Sequence, residues 1–90
     1  MAYAMFDAAL TDPTMEGKVR QLVSVLLEIP PEDVTDDLNW KSQLDEERVP
    51  FYCTMVAEAL TTYFNCACEM EDIEQLNTVQ DIIDLINNKT

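Results

Sequence analysis

The side chains of this chain that could do chemistry are thiols, carboxylates and a few hydroxyls. The thiols are Cys53, Cys66 and Cys68. Cys66-x-Cys68 suggests a metal or redox site, but Cys53 is its one further thiol and the chain has no histidine. A structural zinc site needs a full set of Cys and His ligands, so the set falls short. Cys66 is expected as an exposed side chain. An odd number of cysteines excludes a complete disulfide framework, and reduced thiols fit a cytosolic protein.

The carboxylates outnumber everything else that ionises: 18 acidic against 5 basic residues, for a net charge of -13. Nucleic acid and anionic lipid would repel such a chain, whereas long-range attraction favours a basic partner protein. The same charge would also serve solubility alone. Glu69, Glu71, Asp72 and Glu74 read as a solvated face where helix dipoles favour acids. They lack the glycine and ligand spacing of a calcium loop. No hydroxyl is paired with a base and no glycine-rich loop awaits a phosphate, so an enzyme is not expected.

The elements that must position these groups read as helices. One domain is expected at 90 residues, without catalytic or metal residues and with no strand signal. No run spans a membrane, and the first lysine is Lys18, so no basic signal-peptide region opens the chain; the expected location is cytoplasmic. Residues 1–14 read as an N-terminal extension, with Tyr3, Phe6 and Leu10 forming either a short docked helix or a frayed end. Thr11-Asp12-Pro13 would stop that helix.

The first main helix is predicted from about Thr14 to Glu28. Thr14 caps it, Glu16 sits in its first turn, and Val19, Leu22, Val23, Leu26 and Ile29 form its apolar stripe. Pro30-Pro31 ends it. A long acidic connection follows, pinned to the core by Val34, Leu38, Trp40 and Leu44. The second main helix is predicted from about Pro50 to Asn65, with Val49 a poor cap. Its expected buried face is Phe51, Val56, Leu60, Tyr63 and Phe64. Tyr52, Met55 and Thr62 are expected on the other side. After a short turn near Glu69, the last helix begins near Thr78, where Thr78 and Asp81 make a capping-box-like pair.

Order, spacing and helix lengths over residues 15–88 resemble an acyl carrier protein. Ile73, Leu76, Asn77-Thr78-Val79-Gln80 and Ile83-Asp84-Leu85-Ile86-Asn87 look like that family's passage into its final helix. Ile29-Pro30-Pro31-Glu32-Asp33-Val34 is similar to the stretch after its first helix, with Glu28 where glycine is usual. Trp40 stands where the family has an aromatic, and Leu44 where it has the leucine of a D-L-G-x-D-S-L motif. The resemblance implies an all-α, acyl-carrier-like domain over 15–90: a right-handed bundle of three main helices and one short one, with a long loop between helices one and two. It also implies an interior slot for an acyl chain, here expected to be filled by Trp40, Phe51 and Phe64.

That family tethers its acyl chain to phosphopantetheine on the Ser of D-S-L, and its partners read acids along the next helix. Ungapped counting from Phe64 and Val79 puts Pro50 at the Ser, so Val49-Pro50-Phe51 replaces Asp-Ser-Leu. The loop before it, Asp45-Glu46-Glu47-Arg48, is longer than usual. No cofactor is therefore expected; Ser42 is the fallback hydroxyl, and Thr54 faces elsewhere. On the helix itself only Glu58 keeps a charge. The expected partner-binding surface is Asp45, Glu46, Glu47, Arg48, Val49, Tyr52, Met55, Glu58 and Thr62, with Val49, Tyr52 and Met55 as an exposed apolar patch, unless the N-terminal extension covers it. The leading expectation is a non-enzymatic protein-binding module whose partner is a biosynthetic enzyme or a basic protein. Two alternatives stand beside it: a working carrier with a displaced phosphopantetheine site, and an acidic inhibitor or immunity protein that neutralises a basic toxin or enzyme.

Overall fold

The computed structural model of the chain describes residues 4–89; Tyr3 lies outside them. Among the described residues five α-helices follow one another: α1 (Ala4–Ala9), α2 (Met15–Leu27), α3 (Val49–Phe64), α4 (Met70–Glu74) and α5 (Val79–Lys89). Three of them, α2, α3 and α5, are the main helices, and α4 is short. No sheet forms among the described residues; one isolated bridge pairs Asn39 with Thr78. The fold is thus an all-α bundle, with α2 packed on α5 and α3 on α4.

Each main helix starts and stops for a local reason. Thr14 caps α2, its Oγ1 accepting from the Gly17 N–H at 3.1 Å. Val19, Leu22, Val23 and Leu26 then bury one stripe. The helix ends at Glu28, which lies in the left-handed region at φ 56° and ψ 44°. That conformation suits glycine and costs a side-chain-bearing residue about 1–2 kcal/mol. The chain is held through the turn by Ser24, whose carbonyl accepts from the Glu28 and Ile29 N–H groups and whose hydroxyl donates to the Ile29 carbonyl.

The long connection is not a free loop. It makes three single 3₁₀ turns, Pro31–Asp33, Lys41–Gln43 and Glu46–Arg48. Trp40 is fully buried, Val34 nearly so, and Leu38 and Leu44 pack against the core. Arg20 reaches from α2 to Asp36, with Nε and Nη2 at 3.2 and 3.0 Å from Oδ1. Lys41 Nζ donates to the Glu74 carbonyl at 2.6 Å, tying the connection to α4.

Two orientations differ from expectation. Phe51 is 63% exposed, whereas Met55 is 5% exposed and belongs to the core. Helical geometry explains the exchange. At about 100° per residue, the stripe Cys53, Val56, Ala59 and Leu60 that α3 buries puts Met55 on its flank and Phe51 nearly opposite Cys53. Tyr63 and Phe64 are half-buried at the edges. The start of α3 also moves: Val49 is its first residue, and the cap position falls to Arg48, which makes no side-chain cap. The preceding 3₁₀ turn runs straight in, so the Val49 N–H is met by the Glu46 carbonyl.

α1 precedes α2 and packs on it, with Phe6 fully buried and its ring 6.2 Å from Tyr63 in an edge-to-face pair. That contact falls toward the far end of α3 from Tyr52. The link between the two helices is fastened by Asp12. Its Oδ1 accepts from the Thr14 N–H and Oγ1 at 2.8 and 2.6 Å, and its own N–H donates to Gln21 Oε1 at 3.0 Å. The Thr14 bonds, side chain first, hold the Asp12 carboxyl below its usual pKa. Gly17 makes room for it, because a Cβ there would overlap Asp12 Cγ.

A helical Gly→Ala change ordinarily stabilises by about 1 kcal/mol. In this protein Gly17→Ala is expected to lose that gain or reverse it, because Asp12 must leave Thr14. In an Asp12→Ala background the gain of about 1 kcal/mol should return. Urea denaturation of the four variants of this cycle checks it; an equal gain in both backgrounds would contradict the close approach.

Candidate functional site

At the opening of α3 a large apolar side chain, Phe51, meets solvent. The turn that leads into it, with Asp45, Glu46, Glu47 and Arg48, is exposed throughout. Val49 is half-buried and Pro50 exposed. Phe51 projects outward, its ring 5.6 Å from that of Tyr52 and inclined by 70°, an edge-to-face pair that fixes its direction. Tyr52 itself is half-buried. Further along the same face, Glu58 and Thr62 are exposed, and so are Thr54 and Thr61.

The structure therefore brings together much of the expected surface, but with different members at its apolar centre. Met55 leaves it and Phe51 enters. A second addition comes from outside the helix. Met70, at the first turn of α4, is 39% exposed, and its Sδ lies 3.9 Å from Thr54 Oγ1. The spacing of Phe51 from Cys53 could have revealed the first change. No local signal could have revealed the second, since it depends on how α4 packs on α3.

The hydroxyls near this opening are engaged. Thr54 Oγ1 donates to the Pro50 carbonyl at 3.1 Å, one turn back along α3. Ser42 is exposed in its 3₁₀ turn, where Oγ donates to the Asn39 carbonyl at 2.9 Å and the backbone N–H donates to Asn39 Oδ1 at 3.1 Å. It does not stand at the start of an α-helix. Trp40 occupies the interior as expected, but Phe51 does not, so it fills no internal slot.

The cysteines are all free. Cys66 is fully buried, contrary to expectation, because Asn65 turns the chain back at φ 52° and the Cys66 N–H bonds to the Leu60 carbonyl at 3.0 Å. Cys68 is half-buried, with Sγ 3.9 Å from the Ala57 carbonyl. Burial pushes the Cys53 and Cys66 thiols up. Burial also raises Cys68, helped by Cys66 and Asp72, to about 11. Among the described residues no group of three or more His, Cys, Asp or Glu side chains could hold a metal ion.

The acids after Cys68 do structural duty. Glu69 and Asp72 form a reciprocal capping box on α4. Asp72 also meets Lys89 Nζ at 3.4 Å. Its carboxyl is held low, first by the Glu69 N–H and then by Lys89.

Comparison with known proteins finds two similar carriers. An acyl carrier protein of Buchnera aphidicola subsp. Schizaphis graminum is 31% identical over 75 residues, covering 83% of this chain and 92% of that protein. An acyl carrier protein of Thermosynechococcus vestitus is 32% identical over 72 residues, covering 80% of this chain and 86% of that protein. No protein-family model matches the chain, and no solved structure matches it significantly.

Only the thiolate is alkylated, so a pKa of about 11 has a direct signature at Cys68. Its iodoacetamide rate, followed at that residue by mass spectrometry, should climb about tenfold per pH unit from pH 7 to about pH 10. A plateau near the ordinary thiol pKa would contradict the burial described.

Proposed function

The chain belongs to the acyl carrier protein family, a non-enzymatic helical module, and on that premise we propose that this member carries no phosphopantetheine and acts by binding another protein. The docking surface is the open face of α3 together with the acidic turn before it. The observation that carries the proposal is Phe51, 63% exposed on the opening turn of α3. A large apolar side chain held outward by a neighbouring ring is suited to contact, and useless for covalent attachment.

The family's attachment needs a hydroxyl on that turn. Val49, Pro50 and Phe51 supply none, and in this reading Pro50 stands at the position of the modified serine. Ser42 and Thr54 each give their proton to a backbone carbonyl. In this reading the rim of the docking surface is supplied by Asp45, Glu46, Glu47, Arg48, Glu58 and Thr62, all of them exposed. Beside Phe51 on α3, Val49 and Tyr52 are half-buried and Met55 is buried. Burying Phe51 on docking would contribute about 1.5–3 kcal/mol, while the rim charges would chiefly set the rate and choice of partner.

The test is the intact mass of the full chain after incubation with coenzyme A and a broad-specificity phosphopantetheinyl transferase, beside a working carrier as positive control. The expected result is no gain of mass, in the wild type and in Ser42→Ala alike. A gain of one phosphopantetheine in the wild type, lost in Ser42→Ala, would instead make the protein a working carrier with a displaced site.

A further inference from the structure

Cys66 and Cys68 stand two residues apart in the non-helical stretch between α3 and α4. Cys66 is fully buried, and Cys68 is half-buried. Their side chains share a hydrogen bond, so the buried sulfur backs onto the accessible one. Cα atoms two residues apart are separated by at most about 7 Å, close to the span that a disulfide bridges. Closing a bond here asks little of the backbone.

Cys68 is the member of the pair that meets the outside. It lines a cleft of about 410 Å³ with Thr61, Glu69, Asp72 and Lys89, and another of about 250 Å³ with Glu58 and Thr62. Lys89 is engaged by Asp72 at 3.4 Å. That leaves the exposed carboxylates of Glu58 and Glu69, on a chain of net charge -13. Such a mouth attracts a small cation and repels an anion.

We propose that Cys66 and Cys68 form a dithiol site that exchanges with small cationic disulfides, Cys68 receiving the reagent and Cys66 closing the bond behind it. The Cys68 thiolate attacks one sulfur of the small disulfide and expels the other half as a thiolate, which takes up the proton that Cys68 lost. The Cys66 thiolate then attacks the Cys68 sulfur of the mixed disulfide and expels the second half in the same way. The two cysteines are oxidised, the protein loses two hydrogens, and one small disulfide is reduced to two thiols. Burial raises both thiols, so the exchange runs through a small thiolate fraction and quickens with pH. Nothing in this depends on the reading of α3 as a docking face.

The probe is cystamine, a dicationic disulfide, incubated with the reduced full chain at about pH 8.5 and quenched by alkylation. Intact mass and a peptide map should show the wild type short of two hydrogens, with Cys66 joined to Cys68, no cysteamine retained, and Cys53, buried within α3, still reduced. Cys66→Ala should keep one cysteamine on Cys68. Cys68→Ala should react about tenfold more slowly or less, because the remaining thiol of the pair is buried. Circular dichroism checks that both variants fold, and the wild-type map decides the pairing without them. The anionic glutathione disulfide should react more slowly than cystamine, and added salt should narrow the difference. A lasting cysteamine adduct on wild-type Cys68, a bond to Cys53, or full reactivity in Cys68→Ala would overturn the dithiol site. Faster reaction with glutathione disulfide would overturn the choice of a cationic substrate.

Discussion

The start of α5 is where this fold is held together. A helix leaves its first N–H groups without intrahelical partners, and a buried one left unmet costs about 1–3 kcal/mol. Here each of them is met. The Val79 N–H bonds to the Leu38 carbonyl at 3.1 Å and the Gln80 N–H to the Asp36 carbonyl at 2.8 Å. The Asp81 N–H bonds to Thr78 Oγ1 at 3.2 Å and the Ile82 N–H to the Thr78 carbonyl at 3.4 Å. Asp81 returns the favour to the incoming chain, accepting from the Asn77 and Thr78 N–H groups at 3.0 Å each. Those bonds, Thr78 first, keep its carboxyl ionised below its usual pKa. Two of these acceptors belong to the long connection, so the start of the last helix is satisfied only with the middle of the chain beside it.

That arrangement also places Trp40. Its backbone N–H donates to the Asn77 carbonyl at 3.1 Å, and its indole is fully buried in the interior. The indole Nε1 has no hydrogen-bond partner among the described residues. Leaving a donor unmet costs about 1–3 kcal/mol. Removing a buried tryptophan side chain costs about 3–5 kcal/mol, so apolar burial wins. With Trp40 fixed, and Lys41 bound to the Glu74 carbonyl, the connection delivers the chain to α3 at one place and in one direction. The outward aim of Phe51 follows from that entry and from the stripe that α3 buries.

Some of this could be read from the residues. Thr14 as a cap, the Thr78 and Asp81 pair, and Val34 and Trp40 as pins are local patterns, and each appears where its chemistry placed it. The exposure of the 45–48 turn, Glu58 and Thr62 was legible for the same reason: charge and polarity speak for themselves. The facing of α3 was not, because its residues are nearly all uncharged, so apolar identity gives little phase. Phe51 looked like core by its type; only its angular distance from Cys53 says otherwise. Cys66 and Met70 depend on events beyond any local window. The left-handed turn at Asn65 folds Cys66 inward, and the packing of α4 brings Met70 beside Thr54.

The proposed docking surface rests on the side of α3 that faces solvent. The most direct measurement is a pair of urea denaturation curves, for Met55→Ala and Phe51→Ala. The structure predicts a loss of about 2–5 kcal/mol for Met55→Ala, as for a truncated core methionine. It predicts a change within about 0.5 kcal/mol for Phe51→Ala, as for a surface side chain. The reverse order, with Phe51→Ala the costly change, would turn α3 about its axis and remove Phe51 from the surface.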